Sequence, residues 1–225
     1  MEEGPRGSLY LRFQNRDWTG EEIQFYSMGE DSIAALGTLQ NERGESLSLA
    51  MHLGFGTGTS TFTLEGNVAV LRGELGSGTF RQAQYLRKFH PEIDTILFQE
   101  VPGSVNDEIN VETGRLIRQA GYTTIVPEDG FIASGGVDLF AAGVRRIIHD
   151  GAQVGVHAWG DPFEDVVAQD LPRTHPAHRM QIQYFQEMLP NGPEFYFFTL
   201  QAAPFDDIHF MTRKEIQDWR LTTEP

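Results

Sequence analysis

The chain contains no cysteine, which rules out disulfides, thiolate nucleophiles and thiolate metal sites. It also lacks any apolar run near the roughly 18 residues that a membrane-spanning helix requires, so membrane insertion is not expected. Basic residues are scarce: 17 Lys and Arg stand against 32 Asp and Glu, giving a formal charge of -15. Phosphate binding rests on clustered Lys and Arg, and the basic clusters here are short, such as Arg145 and Arg146. Nucleic acid and anionic membranes are therefore not expected as partners. The opening "MEEGPRGSLYLRF" has neither the basic end nor the apolar stretch of a signal peptide. The expected compartment is the cytoplasm, or the periplasm if the chain is a leader-processed form. What remains, 40% hydrophobic and 22% charged over 225 residues, suits one well-cored globular domain or a domain with an appendage.

The first 65 residues read as short strands and turns. "SLYLRF" and "IQFYSM" alternate apolar and polar residues, and "SLSLAMHLGFGTGTSTFTL" reads as strand, Gly/Thr-rich turn and strand. From residue 66 the pattern changes to alternating strands and helices. "NVAVLRG", "DTILFQEV", "YTTIVPE" and "GAQVGVHAW" are expected strands; "GTFRQAQYLRKF" and "DEINVETGRLIRQAG" are expected helices. A third helix is expected to begin in "FIASGG" and to run through Val137, Phe140, Ala141, Val144 and Ile147, which share one helical face. Such alternation implies right-handed crossovers and a largely parallel sheet. Further on, "AHRMQIQYFQEML" predicts a helix, "FYFF" reads as core or cleft lining, and Thr212 with Glu215 forms a capping box for a terminal helix.

In open parallel sheets ligands gather at the carboxyl ends of strands. "VPGSVND", "FIASGG" and His157 in "VGVHAW" all fall at such ends. Together they offer the parts of an acyl-transfer site: Ser134 as nucleophile, His157 as its base, and the N–H groups of Gly103 and Gly135 as donors to an oxyanion. Gly135 and Gly136 weaken the first helical turn, which suggests that something approaches the backbone there. The plainer reading is that Ser134 is an ordinary helix N-cap. The α/β-hydrolase elbow G-x-S-x-G is absent, since Ile132 stands two before the serine. His175 and His178 in "THPAHR" lie three apart, but no carboxylate or third histidine is near in sequence, so no metal is assigned. The glycines of "GFGTGT" and "GELGSGTF" fit neither a dinucleotide fingerprint nor a P-loop and read as turns.

The stretch "VPGSVNDEINVETGRLIRQAGYTTIVPEDGFIASGGVDLFAAGVRRIIHDGAQVGVHAWG" resembles the core of the Clp protease proteolytic subunit and its crotonase-superfamily relatives. It is similar to the Clp-protease-like proteins of bacteria, which are often periplasmic. The resemblance covers roughly residues 67 to 225 and implies an α/β spiral of crotonase type, with residues 1–65 as a β-rich extension. It implies a serine hydrolase, peptidase or carboxylesterase, with Ser134, His157, Gly103 and Gly135 in the roles above and no cofactor. It further implies a triad acid just before the terminal helix, for which Asp206 is chosen and Asp207 is the alternative. A homo-oligomer is implied by the same analogy. The chain departs from the pattern at Pro102, which replaces a turn glycine and cannot donate an N–H, and at Arg220, which replaces a glycine. The region of the family's long handle helix, 158–205, is shorter and proline-broken. The rival reading is a crotonase-like acyl- or ligand-binding protein that keeps the oxyanion cradle without hydrolysis.

Overall fold

A computed structural model describes residues 2–13, 15–27, 32–54, 56–161 and 166–224. The chain divides into two compact units, Met1–Gly56 and Thr57–Pro225. This boundary falls earlier than the expected 65/66. The reason is local: Thr61–Glu65, assigned to the extension from sequence, pairs antiparallel with Val68–Arg72 and so joins the second unit's sheet.

The first unit is a four-stranded antiparallel meander: β1 (Glu2–Phe13), β2 (Arg16–Ser27), β3 (Ser32–Gln40) and β4 (Ser46–Gly54). Period-2 alternation gives the meander one apolar face, on which Trp18, Ile23, Ala35 and Leu39 are buried with Leu9, Leu11, Phe25 and Leu49 packed against them.

The second unit is built on an eight-stranded sheet. Its strands are β5 (Thr61–Glu65), β6 (Val68–Arg72), β7 (Thr95–Val101), β8 (Thr123–Val126), β9 (Phe131–Ala133), β10 (Arg145–Ile148) and β11 (Gln153–Val156), with a last short strand near the carboxyl terminus. A two-stranded ribbon, β12 (Gly160–Asp161) and β13 (Val166–Val167), lies outside the sheet, and β14 (His209–Phe210) closes it. The order is β10-β8-β7-β9-β11-β14, with β6 also paired to β7. All pairs are parallel except the β5–β6 hairpin and β11–β14. The mixed α/β architecture with a mostly parallel sheet is thus the one the sequence implies.

Helices α1 (Ser77–Phe89) and α2 (Asp107–Ala120) connect the strands as crossovers. Asn106 caps α2 by accepting from Ile109 N–H at 3.0 Å, and Gly121 ends it with a left-handed φ of 77°. The third helix, α3 (Gly135–Ala141), is much shorter than expected. Phe131–Ala133 is strand rather than helix, and Arg145–Ile148 is the edge strand β10. Gly143 explains the stop. A side chain there would meet the Thr124 hydroxyl at 2.1 Å, so the chain presses against β8 and leaves the helix. Val144 is consequently 46% exposed instead of continuing a buried helical face. Helices α4 (Arg179–Met188), α5 (Gly192–Ala202) and α6 (Arg213–Asp218) complete the unit. The capping box of α6 forms as expected between Thr212 and Glu215. A single apolar core runs through the unit and includes Phe98, Val101, Ile132, Phe140, Tyr184 and Phe195.

The two adjacent basic residues differ: Arg145 is exposed and pairs with Glu224, while Arg146 is turned inward. Arg146 is buried, and its guanidinium donates to the carbonyls of Gly143, Arg220 and Leu221. Arg220 itself adopts φ 52°, the left-handed conformation that glycine takes without strain.

Candidate active site

Three neighbouring parallel strands, β7, β9 and β11, deliver the site. Val101 pairs with Ile132, and Ile132 with Val154, so the residues that follow each strand emerge side by side. After β7 comes Gly103, after β9 Ser134 and after β11 His157. The turn after β7 is anchored by Leu75 N–H donating to Gly103 carbonyl at 2.8 Å, and by Val105 N–H donating to Leu75 carbonyl at 2.9 Å. Ser134 N–H donates to Gly155 carbonyl at 3.0 Å, extending the β9–β11 ladder up to the serine itself.

Ser134 occupies the N-cap position of α3, yet its hydroxyl makes no capping bond. Its backbone sits at φ 50°, ψ -128°, a region costly for a residue with a side chain. The sharp strand-to-helix turn instead turns the serine into a cleft, which Asp107, Gly135, Asp138, His157, Gln181 and Tyr196 also line. Capping does not account for this serine.

The two glycines after Ser134 answer to close packing within the chain. A Cβ on Gly135 would lie 2.5 Å from Ser104 Cβ, and one on Gly136 would lie 2.5 Å from Val101 carbonyl oxygen. What approaches the backbone there is the β7 strand end and its turn. The result is that the start of α3 and the Gly103 turn are held together. Gly103 in turn stands against the serine: a Cβ there would be 3.5 Å from Ser134 Cβ and 3.9 Å from its Oγ. The buried Asn110 fixes the next peptide by donating from Nδ2 to Gly135 carbonyl at 2.9 Å. Among the described residues, neither Gly103 N–H nor Gly135 N–H has a backbone partner outside the regular elements.

His157 is half-buried, and its Nδ1 lies 2.7 Å from the carbonyl oxygen of Ala158. A carbonyl only accepts, so this contact places the proton on Nδ1 and leaves the Nε2 lone pair free. Ala158 is fully buried and is held by its N–H to Ala203 carbonyl at 2.9 Å. Asp206 and Asp207 are both exposed, and neither carboxylate hydrogen bonds to His157. Asp207 accepts from Ile208 N–H at 2.7 Å instead. The residue that turns toward the imidazole from this segment is Phe205, with ring centroids 6.3 Å apart.

The polar cleft residues Asp107, Asp138 and Gln181 carry no expectation from sequence, whereas Tyr196 belongs to the "FYFF" run expected as core or cleft lining. Asp138 lies one turn beyond Ser134, and its carboxyl is raised well above the ordinary range. Burial is the largest cause and the charge of Asp107 the next, while a hydrogen bond from Gln181 partly offsets them. Asp107 is exposed as a residue while lining the cleft. Its carboxyl is raised, chiefly by loss of solvation, against the lowering effect of the Ser104 hydroxyl and of His157. Tyr196, from the "FYFF" run, is committed to Trp159 Nε1 at 2.8 Å and to His178 Nδ1 at 2.7 Å, and burial pushes its hydroxyl up to about 12. The rest of that run is core, as Phe195 and Phe197 are buried. His178 is buried behind Tyr196, while His175 caps a short turn by accepting from Ala177 N–H at 3.3 Å.

No protein-family profile matches the sequence, and no curated protein does. Solved structures do match. The 1510-N membrane-bound stomatin-specific protease, a mutant in complex with a substrate peptide, has a TM-score of 0.50 at 16% identity, covering 69% of this chain and 72% of that one. An enoyl-CoA hydratase from Polaromonas sp. JS666 has a TM-score of 0.45 at 12% identity, covering 72% and 68%. At such identities the likeness concerns the fold alone, an α/β fold with a mostly parallel sheet shared with the stomatin-specific protease; the four-stranded meander is a separate unit.

Proposed function

We propose that the chain is a serine hydrolase in which Ser134 and His157 act with the Ala158 carbonyl in place of a triad carboxylate. The observation that carries this reading is Ser134: a strained, uncapping serine at a strand–helix junction, opening into the cleft that holds His157. Strain of this kind costs on the order of 1–3 kcal/mol and persists where the surrounding structure enforces it. An ordinary helix cap has no use for it.

In the proposed reaction Ser134 Oγ attacks an ester or amide carbonyl carbon, and its proton passes to Nε2 of His157. The Ala158 carbonyl holds the imidazole in the tautomer that makes Nε2 the base. The tetrahedral oxyanion accepts from the N–H groups of Gly103 and Gly135, each worth roughly a hundred- to a thousand-fold in rate. Collapse breaks the bond to the leaving alcohol or amine, which takes the proton from His157. Water then attacks the acyl-serine with His157 again as base, releasing the acid and restoring Ser134.

Turnover of short p-nitrophenyl esters by wild type and Ser134→Ala tests the reading. A loss on the order of 10⁴-fold in kcat is expected. Equal turnover by the two proteins would contradict it, and no turnover by wild type would leave the crotonase-like binding protein as the better account.

A further inference from the structure

The cleft beside Ser134 has an unusual balance of charge and hydrogen-bonding groups. Two carboxyls, Asp107 from the start of α2 and Asp138 from α3, line it together. Among the described residues no Lys or Arg side chain lines it and no ion pair engages either carboxyl. Gln181, from α4, is 6% exposed; its amide bonds Asp138 and its Oε1 is left with no partner. A buried acceptor without a donor is costly, and such groups are rare in folded proteins.

Apart from Ser134, the Gly135 N–H and His157, the donors around the cleft are already committed. The Ser104 hydroxyl serves Asp107, the Thr199 hydroxyl donates to Tyr196 carbonyl at 2.8 Å, and Trp159 Nε1 donates to the Tyr196 hydroxyl. The cleft therefore presents acceptors and net negative charge, with apolar walls from Val156, Phe185 and Leu200. A ligand matched to it carries a group that only donates and bears positive charge, on an apolar stem.

We infer that this cleft is a specificity pocket for a cationic group, a primary ammonium or guanidinium, placed on the acyl side of the bond that Ser134 would cleave. The inference rests on the hydrolase reading for its effect on turnover, but not for binding. A cation supplies the countercharge that both carboxyls lack and the donor that Gln181 Oε1 lacks. Such a pocket selects a lysine-like or arginine-like side chain, or an amine-bearing acyl group, over an apolar one of equal length.

Two esters of equal length test this: p-nitrophenyl 6-aminohexanoate and p-nitrophenyl heptanoate, which differ by an ammonium in place of a methyl. Wild type is expected to favour the ammonium ester by roughly tenfold or more in kcat/KM, since a charge-assisted hydrogen bond commonly carries that ratio. Asp138→Asn, close in shape, is expected to bring the ratio near one, and Gln181→Met to lower it severalfold. A wild-type ratio at or below one overturns the inference while leaving the hydrolase reading standing. If neither ester is turned over, the hydrolase reading fails, and calorimetry with hexylamine against hexanol decides the pocket separately. Hexylammonium binding that is lost in Asp138→Asn upholds the cationic pocket. No preference for hexylamine over hexanol overturns it.

Discussion

Nδ1 of His157 lies 2.7 Å from the carbonyl oxygen of Ala158, the next residue in the chain, so the imidazole is held by backbone, and among the described residues no carboxylate hydrogen bonds to it. The consequence is specific. Asp206→Ala and Asp207→Ala are expected to leave kcat/KM within about threefold of wild type, whereas His157→Ala loses on the order of 10³-fold or more. Steady-state ester hydrolysis by the three variants checks this. A loss in Asp206→Ala as large as that in His157→Ala would restore the aspartate to the site.

Ser134 holds φ 50° with a side chain attached. Ser134→Gly is expected to be more stable than Ser134→Ala by about 1–2 kcal/mol, because only glycine relieves the strain. Both variants are expected to be inactive. Urea denaturation measures the difference directly, and equal midpoints would show that the turn carries no strain.

A methyl group at Gly135 would be driven to 2.5 Å from Ser104 Cβ. Gly135→Ala is expected to destabilise the protein by about 1–3 kcal/mol, as overpacking of close contacts commonly does. It is also expected to lower activity by prising the Gly103 turn from Ser134. Thermal unfolding read beside ester hydrolysis checks both effects.

Asp138 gives a pH signature. Its carboxyl is raised in the folded protein by burial, then by Asp107, so the folded state keeps a proton that the unfolded chain releases. That contribution is full below the ordinary carboxylate value of about 4 and is lost as pH rises through the raised value. Wild type is therefore expected to lose stability relative to Asp138→Asn as pH rises across that window, by up to about 1.4 kcal/mol per pH unit. Urea midpoints of the pair at several pH values check it, and parallel curves would contradict it.

Much of this was legible in the sequence, for physical reasons that also mark where it failed. Strands β6, β7, β8 and β11 are short apolar runs between turn residues, and α2 carries both its caps in the sequence. Their alternation alone implies a parallel sheet, and parallel sheets place function at the strand ends. Strand β9 escaped notice because three residues carry no period. Strand β10 escaped because Val144 and Ile147 fit a helical face as well as a strand, and only the packing of Gly143 against Thr124 decides between them.

The site follows the same division. Ser134, His157, Gly103 and Gly135 were legible as chemistry-bearing types at consecutive strand ends. The Ala158 carbonyl was not, since every residue carries one. Asp138 had a faint signal: an acid set between Val137 and Phe140 on an otherwise apolar helix, with no base three or four residues away. Asp107 had none, because acids are ordinary in a first helical turn.

The central claim is that Ser134 is an activated nucleophile. Intact-mass analysis after exposure to a small fluorophosphonate, followed by peptide mapping, measures this without knowledge of the substrate. One adduct on Ser134, absent from Ser134→Ala and lost or greatly slowed in His157→Ala, is the result expected. Folded protein that takes no adduct across a range of pH would contradict it.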